Sequence, residues 1–148
     1  MQIICLNCRG PLKKTGQDYT CSCCGKVYST YGNAINFVDE YIDNGIIDVY
    51  ENINDKYNET SIGKYVNFMN LGYCENSNEN LIGKSAFQNS IINRNSISLI
   101  LKIFYQMNLE NLDVLDLGCG RCGAIYTIQR MYKSCRLYGI DICKNGLL

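Results

Sequence analysis

Apolar residues run from position 112 to 117, interrupted by Asp113 and Asp116, and this pattern predicts a strand. The strand runs into the turn Gly118-Cys119-Gly120-Arg121-Cys122-Gly123. A helix is predicted over about residues 124–132, then a second strand over 136–140 ending at Asp141. Upstream, Ile91, Ile92, Ile97, Leu99, Ile100, Ile103 and Phe104 cluster near helical spacing, which predicts a helix over about 85–107 packing on the sheet that follows. Residues 39–80 are acidic, Asn-rich and weakly periodic, with a partial apolar face at Tyr65, Phe68 and Met69; they read as a linker with short helices. The expected organisation is therefore a small unit over 1–40, a linker over 41–84, and an α/β segment over 85–148.

The first unit is too short to bury a core of its own, and its cysteines supply the remedy. Cys5 and Cys8, then Cys21 and Cys24, form two Cys-x-x-Cys pairs separated by twelve residues. Two such pairs can place four thiolates about 2.3 Å from one zinc ion. Gly25 directly follows Cys24, and Gly10 lies two residues after Cys8, where tight knuckles need permissive backbone. Cys23 is a spare thiol; Cys24 is the better ligand because it keeps the two-residue gap and precedes the glycine. Four protein ligands leave no open position, so the expected zinc is structural. The segment CLNCRGPL…YTCSCCGKVYSTYGNAINFV resembles the zinc ribbon at the front of many bacterial methyltransferases. Tyr28 and the apolar run 34–38 fit the strand that follows the second knuckle in that family.

Composition narrows the setting. The 148 residues carry fourteen basic and fourteen acidic side chains, distributed unevenly: residues 1–30 are net positive, 31–80 strongly negative, 81–148 positive again. None of these segments is the basic stripe of a protein held by phosphate contacts, so nucleic acid is disfavoured as a partner. Histidine is absent from the sequence, which removes the commonest general base. The N-terminus has no basic segment followed by an apolar run, and the longest apolar stretch, 97–105, is too short to span a bilayer. A reducing, cytoplasmic setting is expected, in which ten cysteines imply metal and buried thiols rather than disulfides.

Strand, glycine turn, helix, strand and acid together suggest nucleotide recognition. Glycines admit a ligand close to the backbone, a helix N-terminus offers free N–H groups, and an acid accepts from ribose hydroxyls. Asp141 lies eighteen residues beyond Gly123, near the usual interval of about 20. Gly118, Gly120 and Gly123 also satisfy Gly-x-Gly-x-x-Gly, so NAD and FAD fit on spacing alone. Asp116 argues against them, because a carboxylate there repels a pyrophosphate and attracts an ammonium group.

VLDLGCGRCGAI…LYGIDIC resembles the first two motifs of class I S-adenosylmethionine-dependent methyltransferases. That resemblance implies a Rossmann-like domain in which Asp116, Gly118, Cys119 and Gly120 surround the methionine portion, Asp141 holds both ribose hydroxyls, and Ile142 packs on adenine. Cys122 stands where the family usually has a third glycine. The segment FMNLGY is similar to one that precedes the first motif in methyltransferases of lipids and polyketide-like small molecules, and by that likeness Tyr73 borders the pocket. A small-molecule or lipid-like substrate is implied, with no catalytic residue assignable. The family's sheet has seven strands and only two are expected here, so the chain reads as the N-terminal piece of a longer enzyme, inactive alone or completed by a second chain. Two other readings share these motifs: a zinc-containing rRNA or tRNA methyltransferase, and a non-enzymatic zinc-ribbon adaptor.

Overall fold

The computed structural model describes residues 2–38, 44–70, 72–74, 76, 87 and 92–147. The chain divides into two compact units, Met1–Asn44 and Gly45–Leu148.

In the first unit, β1 (Leu12–Thr15), β2 (Asp18–Cys21) and β3 (Val27–Tyr28) form an antiparallel sheet in that order. β1 and β2 are joined by the two residues Gly16 and Gln17, with Thr15 opposite Asp18. Gly16 has φ 67°, a value a hairpin turn of this length needs and glycine tolerates. A second hairpin, β4 (Thr30–Tyr31) and β5 (Ala34–Ile35), follows. The core is small: Cys5, Cys21 and Tyr28 are buried, with Leu12, Tyr19, Ile35 and Phe37 against them.

The second unit mixes helices with a parallel strand pair. Its elements are α1 (Asn44–Glu59), α2 (Arg94–Ile103), β6 (Asp113–Leu117), α3 (Gly123–Met131) and β7 (Arg136–Ile140). β6 and β7 pair in parallel from Asp113 opposite Arg136 to Leu117 opposite Ile140, so Gly118 and Asp141 leave the sheet side by side. The core joins Phe68, Phe87, Ile97, Ile100, Leu101, Leu109 and Ile128, with Val114 and Leu137 packed on it from one sheet face. On the other face Leu115, Leu117 and Ile140 are exposed, Leu117 by 73%.

The sequence pattern and the structure differ in three places. The segment read as a linker with short helices carries the sixteen-residue α1 and lies within the second unit. Of the helix expected over 85–107, residues 85, 86 and 88–91, including Ile91, lie outside the described residues. Its described part spans Arg94–Ile103 and stops before Met107, because Gln106 takes a left-handed φ of 71° just beyond the last turn. The helix expected over 124–132 forms over Gly123–Met131, and Thr127 Oγ1 donates back to the Gly123 carbonyl at 2.9 Å.

Candidate functional site

The two knuckles of the first unit share one backbone pattern. Arg9 N–H donates to Cys5 O at 2.8 Å, and Gly25 N–H donates to Cys21 O at 3.1 Å. Cys5 N–H donates to Gly10 O, and Cys21 N–H to Lys26 O, closing each loop in the same way. The residue after the second cysteine is left-handed in both, Arg9 at φ 62° and Gly25 at φ 74°. Gly10, expected to supply permissive backbone, has a different reason to be glycine: a Cβ there would lie 2.6 Å from Cys23 Sγ.

This matched geometry brings the Sγ atoms of Cys5, Cys8, Cys21 and Cys24 within 4.8 Å of one another. Cys5 and Cys24 are 3.7 Å apart and Cys8 and Cys21 3.4 Å, close to the edge of about 3.8 Å that a tetrahedral zinc tetrathiolate requires. The four side chains can hold a metal ion and are compatible with zinc. Cys23 is exposed and outside the cluster; its backbone N–H reaches Cys21 Sγ at 3.4 Å.

The sulfurs are held by a polar surround. Tyr28 Oη lies 3.1 Å from Cys5 Sγ and accepts from Leu6 N–H at 3.0 Å, while Asn7 Nδ2 points to Cys24 Sγ at 3.7 Å. Burial opposes ionisation of Cys5, but hydrogen bonds from Tyr28 and from the backbone of Cys8 and Asn7 outweigh it and lower the thiol to about 6. For Cys8 the Gly10 backbone favours the thiolate, yet the crowding sulfurs of Cys21 and Cys24 win and push it up to about 12.

The glycine turn is the second candidate. Gly118 and Gly120 have φ of 75° and 50°, and Cys122, at the position where a third glycine is usual, adopts φ 60° itself. Gly123 is required for contact rather than torsion, since a Cβ there would meet Asn67 O at 2.4 Å. Gly118 and Cys119 donate N–H bonds to Ile140 O, tying the turn to the end of β7. Asp141 accepts at one carboxylate oxygen from Gly120 N–H, 2.7 Å, and at the other from Cys143 N–H, 2.8 Å. Asp116, at the end of β6, is raised above the ordinary carboxylate range by burial and then by the charge of Asp141. Among the described residues no Lys or Arg pairs with either acid.

Of the residues expected around the ligand, Asp116, Gly118, Gly120 and Asp141 gather at these strand ends. Cys119 contributes backbone there, but its side chain is buried, and a Cβ on Gly139 would touch its Sγ at 2.7 Å. Ile142 follows Asp141 and is 39% exposed. The described contacts of Tyr73 lie on α2, through its N–H to Asn95 O and Lys102 Nζ 5.5 Å from its ring centre. Its neighbours reach the turn instead: Asn67 and Phe68 abut Gly123, and Met69 Cε is 3.5 Å from where a Gly120 Cβ would sit. Leu71 of this segment lies outside the described residues.

Arg121 was not anticipated. From the tip of the turn it donates to Val66 O at 2.7 Å, Gly63 O at 3.1 Å, Asn58 Oδ1 at 2.9 Å and Asn54 Oδ1 at 3.3 Å. Asn54 is fully buried on α1. A lone arginine in a glycine loop carries no signal of a partner more than fifty residues away, so sequence could not have located this clamp. Compared with protein-family models, curated proteins and solved structures, the chain matches none.

Proposed function

We propose that the second unit belongs to an S-adenosylmethionine-dependent methyltransferase with a Rossmann-like domain, and that the first is its structural zinc ribbon. The observation that carries the reading is the pair of acids at the strand ends. Asp116 and Asp141 repel each other beside a turn built from positive-φ residues. A ligand that brings cationic groups and hydroxyls relieves that repulsion, and a pyrophosphate increases it. S-adenosylmethionine has an ammonium, a sulfonium and two ribose hydroxyls. Asp116 would draw the ammonium, and Asp141, each of whose oxygens keeps a second lone pair beyond its backbone bond, would accept from the ribose. Gly118 and Gly120 would let the ligand approach the backbone.

When bound, S-adenosylmethionine supplies an activated methyl group, displaced in line by an O, N or C nucleophile; the protein's share is positioning. A small-molecule or lipid-like acceptor rests on the resemblance of FMNLGY alone. The test is calorimetric titration of S-adenosylmethionine, S-adenosylhomocysteine and NAD into the zinc-loaded chain. Heat with the first two and none with NAD is expected, and Asp116→Asn should weaken S-adenosylmethionine at least about tenfold, about 1.4 kcal/mol. Binding of NAD, or of no adenosyl ligand at millimolar concentration, overturns the assignment.

A further inference from the structure

The glycine turn contains a third Cys-x-x-Cys, Cys119-Gly120-Arg121-Cys122, which metal binding in the first unit leaves unused. Cys122 N–H donates to Cys119 O at 2.8 Å, closing a four-residue turn. A turn of that kind holds its end Cα atoms within about 7 Å, inside the range a disulfide spans. The two Sγ atoms are 3.9 Å apart. The two sulfurs are therefore neighbours, and a bond of about 2.05 Å requires them to close the remaining gap.

The two thiols are not equivalent. Cys119 is buried under Gly139, whereas Cys122 is half-buried and caps the N-terminus of the nine-residue α3. A partly exposed thiol at a helix start backed by a buried one is the arrangement that favours attack by the first and resolution by the second.

We propose that Cys119 and Cys122 form a reversible dithiol–disulfide couple whose oxidant is a small-molecule disulfide. Cys122 thiolate attacks one sulfur of that disulfide, its S–S bond breaks, and one thiolate leaves. Cys119 then gives its proton to solvent, and its sulfur attacks Cys122 Sγ and expels the second thiolate. The protein loses two hydrogens and two electrons, and the oxidant becomes two thiols. Sharing of a proton between the two sulfurs favours Cys122 as the ionised partner, lowering it to about 7 against burial and the charges of Asp116 and Asp141, while Cys119 is raised. The couple does not depend on the methyl-transfer reading.

Arg121 supplies a clean assay, because trypsin cuts between the two cysteines and leaves one in peptide 103–121 and the other in 122–130. The zinc-loaded full chain is equilibrated with mixtures of oxidised and reduced glutathione, its remaining thiols are alkylated, and it is digested without reductant. The expected result is a linked species, two hydrogens lighter than the sum of these peptides, that dominates in oxidised glutathione and disappears with dithiothreitol. In Cys119→Ala, glutathione should accumulate on peptide 122–130; in Cys122→Ala, peptide 103–121 should stay unmodified. Recovery of both peptides unlinked at every ratio, or linkage of 122–130 to a peptide carrying Cys135 or Cys143, overturns the proposal.

Discussion

Tyr28 shows how much a single hydroxyl organises. It accepts from Leu6 N–H and touches Cys5 Sγ, and its ring packs 5.1 Å from that of Phe37. Tyr28→Phe keeps the packing and loses the polar contacts, so the zinc-loaded ribbon should lose about 1 kcal/mol by urea titration, without losing its metal. Asp116 acts in the opposite sense. Its raised proton affinity in the folded state means that unit stability falls as pH rises from the ordinary carboxylate value, about 4, through the raised one. Asp113, lowered by its hydrogen bond to Arg136, works the other way and loses its contribution as pH falls through its lowered value. Asp116→Asn should therefore raise the urea midpoint of the ligand-free chain at about pH 7 and leave it nearly unchanged below about pH 4. A midpoint unchanged by Asp116→Asn at about pH 7 would show that neither burial nor the charge of Asp141 holds Asp116 above the ordinary carboxylate range.

At the scale of elements, the glycine turn was legible and its support was not. Strand ends, turn and the start of α3 follow from local pattern, because glycine torsions and apolar period are short-range properties. α1 docks through polar groups: it presents Asn54 and Asn58 to Arg121 and Asp55 to Asn145, while Ile46, Val49, Tyr50 and Ile53 are exposed. Those four apolar residues stand at i, i+3, i+4 and i+7, so the sequence does carry a helical period there, but it lies on the exposed side and says nothing of the polar groups that dock. Arg121→Ala removes four hydrogen bonds and strands a buried amide, so it should cost on the order of 2–4 kcal/mol in thermal or urea unfolding. Arg121→Lys, a point charge without the planar fork, should recover only part of that loss. Asp141 is likewise two things at once. Its backbone bonds to Gly120 and Cys143 mean that Asp141→Ala should loosen the turn as well as any ligand, whereas Asp141→Asn keeps an acceptor and separates the two effects.

At the scale of the whole molecule, the four-cysteine cluster lies in one compact unit and the glycine turn in the other. Cobalt substitution should give the absorption of a tetrahedral tetrathiolate, and Cys21→Ser should abolish it. Chelation should unfold the ribbon, since burial of so few side chains cannot sustain it, while the helical circular dichroism, which arises from α1, α2 and α3, persists. Loss of the helical signal on chelation would mean that the two units fold together. The second unit also exposes Leu115, Leu117 and Ile140 on one face of a parallel pair, an arrangement that parallel sheets ordinarily cover on both sides.

The Gly16-Gln17 connection never touches the sulfurs, yet it governs them. Side chains alternate faces along a strand, so sliding β2 by a single place would swing Cys21 from the inner face to the outer. A β-branched residue at the left-handed Gly16 position invites such a slip as relief of strain. Gly16→Val is thus a substitution with every ligand intact in which metal affinity falls through the parity of a strand.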